Sequence, residues 1–330
     1  DVKLKIKHGK PIPAKIKLTK EFARFLGYYL AEGFVIESGI FLSFGKHERE
    51  LIEDAKKCIK NVFGLEATES LAHKSAVHIH LYNKLAAKIM EKVIKAGKNT
   101  YEKRIPDFVF NANKDFQKEL FKAYIKGDSY LRRGYEGIAV SVSKELMVDI
   151  SYLLSMLGIS FSFSKGKGTI RKFPQGVVST TQESFHLYFQ SYKLFDKNEH
   201  KSSAFIDFVP TDATNLKLLA HNPIIKGWEN RRIIKTQKFL TFPKLQYLIE
   251  NSIEEEKASE EEKEIINEIK KIAKGEIAFL PIKKIEEVEY RGEYVYDLCV
   301  EGYENFVGGD GPIFLHNSIG GAIGDKTSML

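Results

Sequence analysis

Apolar and polar residues recur at helical spacing in two segments that end alike. The first runs from Glu21 to Gly33, the second from Lys118 to Ser129. In each, two small residues four apart precede an acid: Gly27 and Ala31 before Glu32, Ala123 and Gly127 before Asp128. Residues four apart share a helix face, and small ones let two backbones come close. If these predicted helices pack on each other, Glu32 and Asp128 emerge side by side at one end.

The parallel continues downstream. Gly39–Phe44 and Gly137–Val142 read as strands, each leading into a helical pattern, His47–Phe63 and Lys144–Leu157. Val77–Leu81 is echoed by Phe185–Phe189, and Pro106–Val109 by Ile206–Val209. The acids lie 96 positions apart (128 minus 32), too long a period for a solenoid. The pattern predicts a mixed α+β fold built from a duplicated unit of about 100 residues.

Near the end of the chain a strand is expected over Glu293–Val300. Asn305-Phe306-Val307 follows, then the glycine-rich turn Gly308, Gly309, Gly311, and a short apolar run, Pro312–Leu315, that delivers His316-Asn317-Ser318. The Asn317 side-chain amide can attack its own carbonyl, close to a succinimide and break the bond to Ser318. A neighbouring His can protonate the leaving nitrogen. The Ser318 hydroxyl can receive an acyl group.

Composition narrows the setting. Hydrophobic content of 43% and aromatic content of 12% support folded cores in a chain of 330 residues. The net charge of +7 favours a polyanionic partner. Cys58 and Cys299 are too few for a disulfide framework or a zinc site. No apolar run reaches the ~18 residues of a membrane span, and Asp1–Lys10 lacks a signal-peptide core. A cytoplasmic protein, with no membrane partner, is expected.

Two family resemblances carry these residues further. Phe25–Gly33 and Phe121–Ser129 resemble the paired motifs of LAGLIDADG (dodecapeptide) homing endonucleases, except that the closing glycine of the second is Ser129. His316-Asn317-Ser318, with Asp297 upstream, resembles the C-terminal splice junction of an archaeal-type intein. A His commonly precedes the Asn-Phe pair in that family, and here the position is Glu304. Together the resemblances imply a pseudo-two-fold αββαββα endonuclease domain followed by the C-terminal β strands of a Hint splicing domain. The implied activity is Mg²⁺-dependent cleavage of double-stranded DNA at a long asymmetric site, by a monomer. Glu32 and Asp128 are the implied catalytic acids and metal ligands, since carboxylate oxygens suit Mg²⁺.

The family also places a Lys ahead of a Pro-x-x-Val element near its active site. Lys103, before Pro106–Val109, fits. In the second repeat the aligned position is Ser203, with Lys201 two residues earlier. The expected splicing set is Asp297, His316, Asn317 and Ser318, with a host protein continuing from Ser318. The family's initial Cys or Ser and its Thr-x-x-His motif have no counterpart before Glu21. The expectation is a C-terminal intein fragment that needs an N-terminal half for splicing but can cleave after Asn317. A rival reading is a LAGLIDADG-fold protein that binds nucleic acid without cutting it.

The resemblance implies that strands track the major groove. Lys46, His73, Lys74, Arg132, Arg133, Lys165, Lys167, Arg171 and Lys172 are the expected groove residues, with 165–172 as a basic hairpin tip. Residues 211–275 belong to neither motif set. Arg231 and Arg232 follow the lone Trp228 there, as part of a DNA-binding module or of a solvated helical linker. Residues 253–271 read as an exposed amphipathic helix. The expected divisions are 1–16 as a linker, 17–115 and 116–210 as the repeats, 211–275 as the accessory region, 276–317 as the splicing segment, and 318–330 as host sequence.

Overall fold

The computed structural model describes the chain apart from residues 1, 8, 133–135, 169, 173–177, 181, 191–207, 213, 221–222, 275–278, 280–281, 283, 288, 290, 295–297, 299–301, 303–304 and 317–330. It divides into two compact units, Asp1–Lys197 with Arg291–Leu330, and Asn198–Tyr290.

The first unit opens with a short antiparallel pair, β1 (Lys3–Leu4) and β2 (Ile12–Pro13). The first repeat is α1 (Lys20–Glu32), β3 (Gly33–Ile36), β4 (Gly39–Gly45), α2 (Arg49–Phe63), β5 (Thr68–His73), β6 (Ala76–Leu81) and α3 (Lys84–Ile89). Helix α1 starts where the Thr19 hydroxyl accepts from Phe22 N–H, an N-cap that satisfies an orphan donor. After a 3₁₀ turn at Asp107–Asn111, the second repeat follows. It comprises α4 (Lys114–Asp128), β7 (Ser129–Arg132), β8 (Glu136–Ser141), α5 (Lys144–Met156), β9 (Phe161–Gly166), β10 (Ile170–Lys172), β11 (Val178–Thr180) and β12 (Ser184–Gln190). The antiparallel sheets have matching orders, β3-β4-β6-β5 and β7-β8-β12-β9. The expected αββαββα order holds in the first repeat. In the second, the position of the last helix lies outside the described residues.

The small residues of α1 and α4 interlock. A Cβ built on Gly27 would fall 2.2 Å from Leu120 O and 2.7 Å from the Ala123 Cβ, and one on Gly127 would fall 2.7 Å from the Ala31 Cβ. Each helix thus offers its glycine to the other's alanine. The core formed around this contact holds Phe22, Phe25, Leu26, Phe121, Tyr124 and residues of both sheets.

Several expectations are corrected. Helix α4 begins at Lys114, because Asn113 caps it through Phe116 N–H. Short strands β3 and β7 follow the acids at once. Gly33 pairs with Leu42, whereas Ser129 pairs with Ala139, so the two hairpins are offset by one residue from the expected Gly39/Gly137 equivalence. The segment 165–172 is no tip: it spans the end of β9 and all of β10, which pairs with β11; residues 173–177 lie outside the described residues. Ser129 replaces the motif glycine in extended backbone, at φ −133° and ψ 143°, which any residue adopts.

The second unit has a core of its own. It consists of β13 (Phe208–Pro210), α6 (Leu216–Leu219), α7 (Trp228–Thr236), β14 (Phe239–Thr241), α8 (Phe242–Asn251) and α9 (Glu260–Lys274). Val209, Leu219, Ile234, Leu245, Leu248 and Ile269 are buried together. A separate core differs from a helical linker. Strand β13 pairs with β14 here, so Phe208–Val209 plays no part equivalent to the 3₁₀ turn at Asp107–Asn111. The helix expected as exposed is α9, whose Ile266 and Ile269 are buried.

Back in the first unit, β15 (Asn305–Gly308) and β16 (Ile313–His316) form an antiparallel hairpin, so the strand that partners the run ending at His316 is Asn305–Gly308. Its turn meets α5: Lys144 Nζ lies 2.6 Å from Asp310, and the Tyr152 hydroxyl 3.5 Å from Gly309 O. Glu293, Tyr294 and Leu298 are not in a strand, and the rest of the strand expected over 293–300 lies outside the described residues.

Candidate active site at the paired helix ends

Glu32 closes α1 and Asp128 closes α4. The helix contact sets them together: a Cβ on Gly127, the residue before Asp128, would lie 3.9 Å from Glu32 Oε1. Burial pushes the Glu32 carboxyl up to about 7, with the Asp128 charge adding to it and Lys103 opposing. Burial likewise pushes Asp128 up to about 6, against the pull of Lys103. Desolvated carboxylates of like charge resist ionisation.

Lys103 completes the cluster. It is 4% exposed, and its ammonium donates to Ala31 O at 2.7 Å. Burial lowers its pKa to about 8, while Asp128 and Glu32 hold the proton on. Helical spacing brought out the two acids. The structure adds two groups the sequence reading missed. The Tyr124 hydroxyl, one turn before Asp128, is buried without a partner, and so is Ser129 Oγ directly after it. Burial, with the Asp128 and Glu32 charges, drives the Tyr124 pKa well up, so the phenol stays neutral. Its counterpart Tyr28, four residues before Glu32, instead donates to Asp54 at 2.8 Å.

The available donors are oxygen atoms, which suit a hard divalent cation. Among the described residues no group of three or more His, Cys, Asp or Glu could hold a metal, so water or substrate oxygens would have to complete any shell on Glu32 and Asp128.

On each sheet the inner rows face the helices, and in the outer row of the first sheet Phe41 and His80 are themselves buried. Phe34, Phe41, His80 and Thr68 align across the first sheet, and Tyr130, Ile138, Tyr188 and Ser162 across the second, two residues beyond each acid. The outer face of the first sheet is aromatic rather than basic. Phe34 stacks on Phe41 at 5.1 Å, and Phe41 meets His80 edge-on at 4.4 Å. The basic residues stand at the margins. Lys46, Lys74 and Lys167 are exposed. Lys165 is exposed too; it continues the row of Phe161 and Phe163 along β9 and pairs with the exposed Glu183 at 2.8 Å.

The backbone of His73 ends β5, Arg132 ends β7, and Arg171 and Lys172 lie in β10; their side chains fall outside the described residues. The backbone of His316 ends β16, and its side chain is likewise undescribed. Arg133, Lys201, Asp297, Asn317 and Ser318 also lie outside them. In the second unit the Arg232 guanidinium sits 5.4 Å over the exposed Trp228 ring, beside a half-buried Arg231.

A family profile for the intein splicing domain matches residues 44–317. The chain belongs to that family. Curated relatives are archaeal. A DNA-directed RNA polymerase subunit Rpo1C of Methanocaldococcus jannaschii is 28% identical over 94% of this chain and 37% of its own length. The replication factor C small subunit of the same organism is 26% identical over 94% of this chain and 16% of its own length. The DNA polymerase II large subunit of Thermococcus kodakarensis is 34% identical over 46% of this chain and 9% of its own length. The chain therefore spans well under half the length of these relatives. A solved structure of the homing endonuclease I-DmoI in complex with DNA and Mn covers 55% of this chain and 94% of its own, at 11% identity and a TM-score of 0.36.

Proposed function

We propose that this chain is a DNA endonuclease carried within an intein, cutting both strands of a long asymmetric duplex. The observation that carries this reading is the meeting of Glu32 and Asp128 at the ends of two interlocked helices, with the Lys103 ammonium beside them. Two acids from two repeats serve two scissile phosphates. Non-identical repeats in one chain suit an asymmetric target and a monomer. Mg²⁺, held by Glu32 and Asp128, would activate water and stabilise the leaving oxygen when bound. The protein's own part is positional: the carboxylates are set by the glycine–alanine contact, and Lys103 supplies a fixed positive charge where negative charge develops. Exposed Lys46, Lys74 and Lys167, with His73, Arg132, Arg133, Arg171 and Lys172, contact DNA at the sheet margins. Arg231 and Arg232 do so from the second unit. Lys201 would be the second-repeat counterpart of Lys103.

The splicing segment is the second part of the proposal. Relatives with unrelated names match along 94% of this chain, at 28% and 26% identity, which supports an element inserted into different hosts. The family match ends at Asn317, the residue whose cyclisation would release Ser318. His316 would donate the proton to the departing amine, and Asp297 would assist.

The test is cleavage of duplexes drawn from a randomised library, in Mg²⁺, by the wild type and by E32Q and D128N. The expected result is double-strand cuts by wild type and none by either variant, with binding kept. Binding of DNA by wild type without cutting under these conditions would replace this reading with that of a pure nucleic-acid binder.

A further inference from the structure

Lys103 sits in the connector between the repeats, and the second repeat fixes its backbone. The Ser143 hydroxyl donates to Lys103 O at 2.7 Å and accepts from Leu146 N–H as the N-cap of α5. Further along α5, the Asp149 carboxylate accepts from Ile105 N–H at 2.9 Å and pairs with Arg104 Nε at 3.5 Å. Ser143 and Asp149 are both buried. Repeat two thus grips the Lys103 carbonyl and the two residues that follow it, while the ammonium ends on Ala31 of repeat one.

We propose that Ser143 and Asp149 are positioning residues for the cleavage step, holding the Lys103 ammonium beside Glu32 and Asp128. The inference depends on the endonuclease reading above. The physical argument starts from cost. Asp149 lies on the face of α5 that buries Leu146, Ile150 and Leu153, where an apolar side chain would meet no desolvation penalty. Burial pushes its carboxyl up to about 6, opposed by Arg104 and the Ile105 N–H. A fold that needed only a tethered connector could pack it with hydrophobic contacts. A carboxylate and a hydroxyl gripping specific backbone atoms fix the connector's register instead. That register decides where a long, flexible lysine side chain begins. A small displacement at its root would carry the ammonium away from the acids. The two grips lie on the repeat that does not supply Ala31, so they also tie the two halves of the site together.

The test is a single-turnover mutant cycle on a duplex selected from a randomised library by the wild-type chain, with cleavage rate and Kd measured separately. K103M is expected to slow cleavage about tenfold or more, and D149A by a similar factor, with Kd changed less than about twofold. D149N keeps an oxygen that can accept from Ile105 N–H and should recover most of the D149A loss. On top of K103M, D149A should add less than about twofold, because it acts through the lysine. If D149A does not fold, as judged by circular dichroism, S143A takes its place in the same cycle. A D149A or S143A effect equally large with and without Lys103 would overturn the inference, as would no effect at all. A K103M chain that cuts at the wild-type rate overturns it too, while leaving the endonuclease reading standing. A wild-type chain that cuts no duplex sinks both.

Discussion

Gly127 of α4 receives the methyl group of Ala31 of α1, and the adjoining acids are brought together by that contact. The same relationship recurs one turn earlier between Gly27 and Ala123. The site is therefore a product of backbone proximity, and its geometry is sensitive to single methyl groups.

Gly27→Ala is expected to destabilise the protein. Alanine is the better helix former, by about 1 kcal/mol. Its Cβ would nevertheless fall 2.2 Å from the Leu120 carbonyl, which is backbone and cannot rotate away. Overpacking of this kind costs about 1–3 kcal/mol or more. Thermal unfolding should show a lower Tm; a Tm equal to or above wild type would contradict the close approach.

Neutralising either acid should stabilise the fold at pH 8. A carboxyl whose folded pKa is raised binds its proton more tightly in the native state, so stability falls as pH rises through that range. For Glu32 the range runs from 4.5 to about 7. E32Q should therefore gain on the order of 1–3 kcal/mol over wild type at pH 8. The gain should vanish near pH 4, where the wild-type group is already protonated. D128N should behave alike, and denaturant melts at both pH values would check the sign.

Cleavage should fall as pH drops through about 7 to 6, as Glu32 and Asp128 take up protons. Protons and a divalent cation compete for the same oxygens. Raising Mg²⁺ should therefore move the midpoint to lower pH. A midpoint that ignores the metal concentration would argue that these carboxylates do not hold it.

Neutralisation of the basic residues should separate them. A lysine that contacts a phosphate changes the slope of log Kd against log salt by about 0.9. K74A and K167A should show such a change. K165A should change the slope less, because Lys165 is already paired with Glu183.

The intact mass of the purified chain, followed at neutral pH, reads the splice junction directly. Loss of the peptide Ser318–Leu330 is expected in wild type. It should be absent in N317A and slowed in H316A. A mass that stays whole over days would mean that Asn317 does not cyclise in this chain alone.

The acids and their helices were legible because small residues at four-residue spacing leave a mark in the sequence. The strands after the acids were not, since four residues such as Gly33–Ile36 carry too little alternation to announce a strand. The one-residue offset between the hairpins depends on turn geometry, which composition does not encode. Asp149 did leave a signal, an acid on an otherwise apolar helix face, whose partner on the connector only the fold could supply. The core of the second unit was obscured by the dense charge on the outer face of α9.

The docking of the Gly309–Gly311 turn on α5 bears on the order in which the molecule is assembled. The ribosome makes α5 well over a hundred residues before it makes Asp310, and the whole of Asn198–Tyr290 comes between. The paired helices can close while translation continues, but the hairpin can take its seat only after that second unit has been made. During synthesis the nascent chain would thus hold a formed pair of acids before the bond after Asn317 exists to be cut.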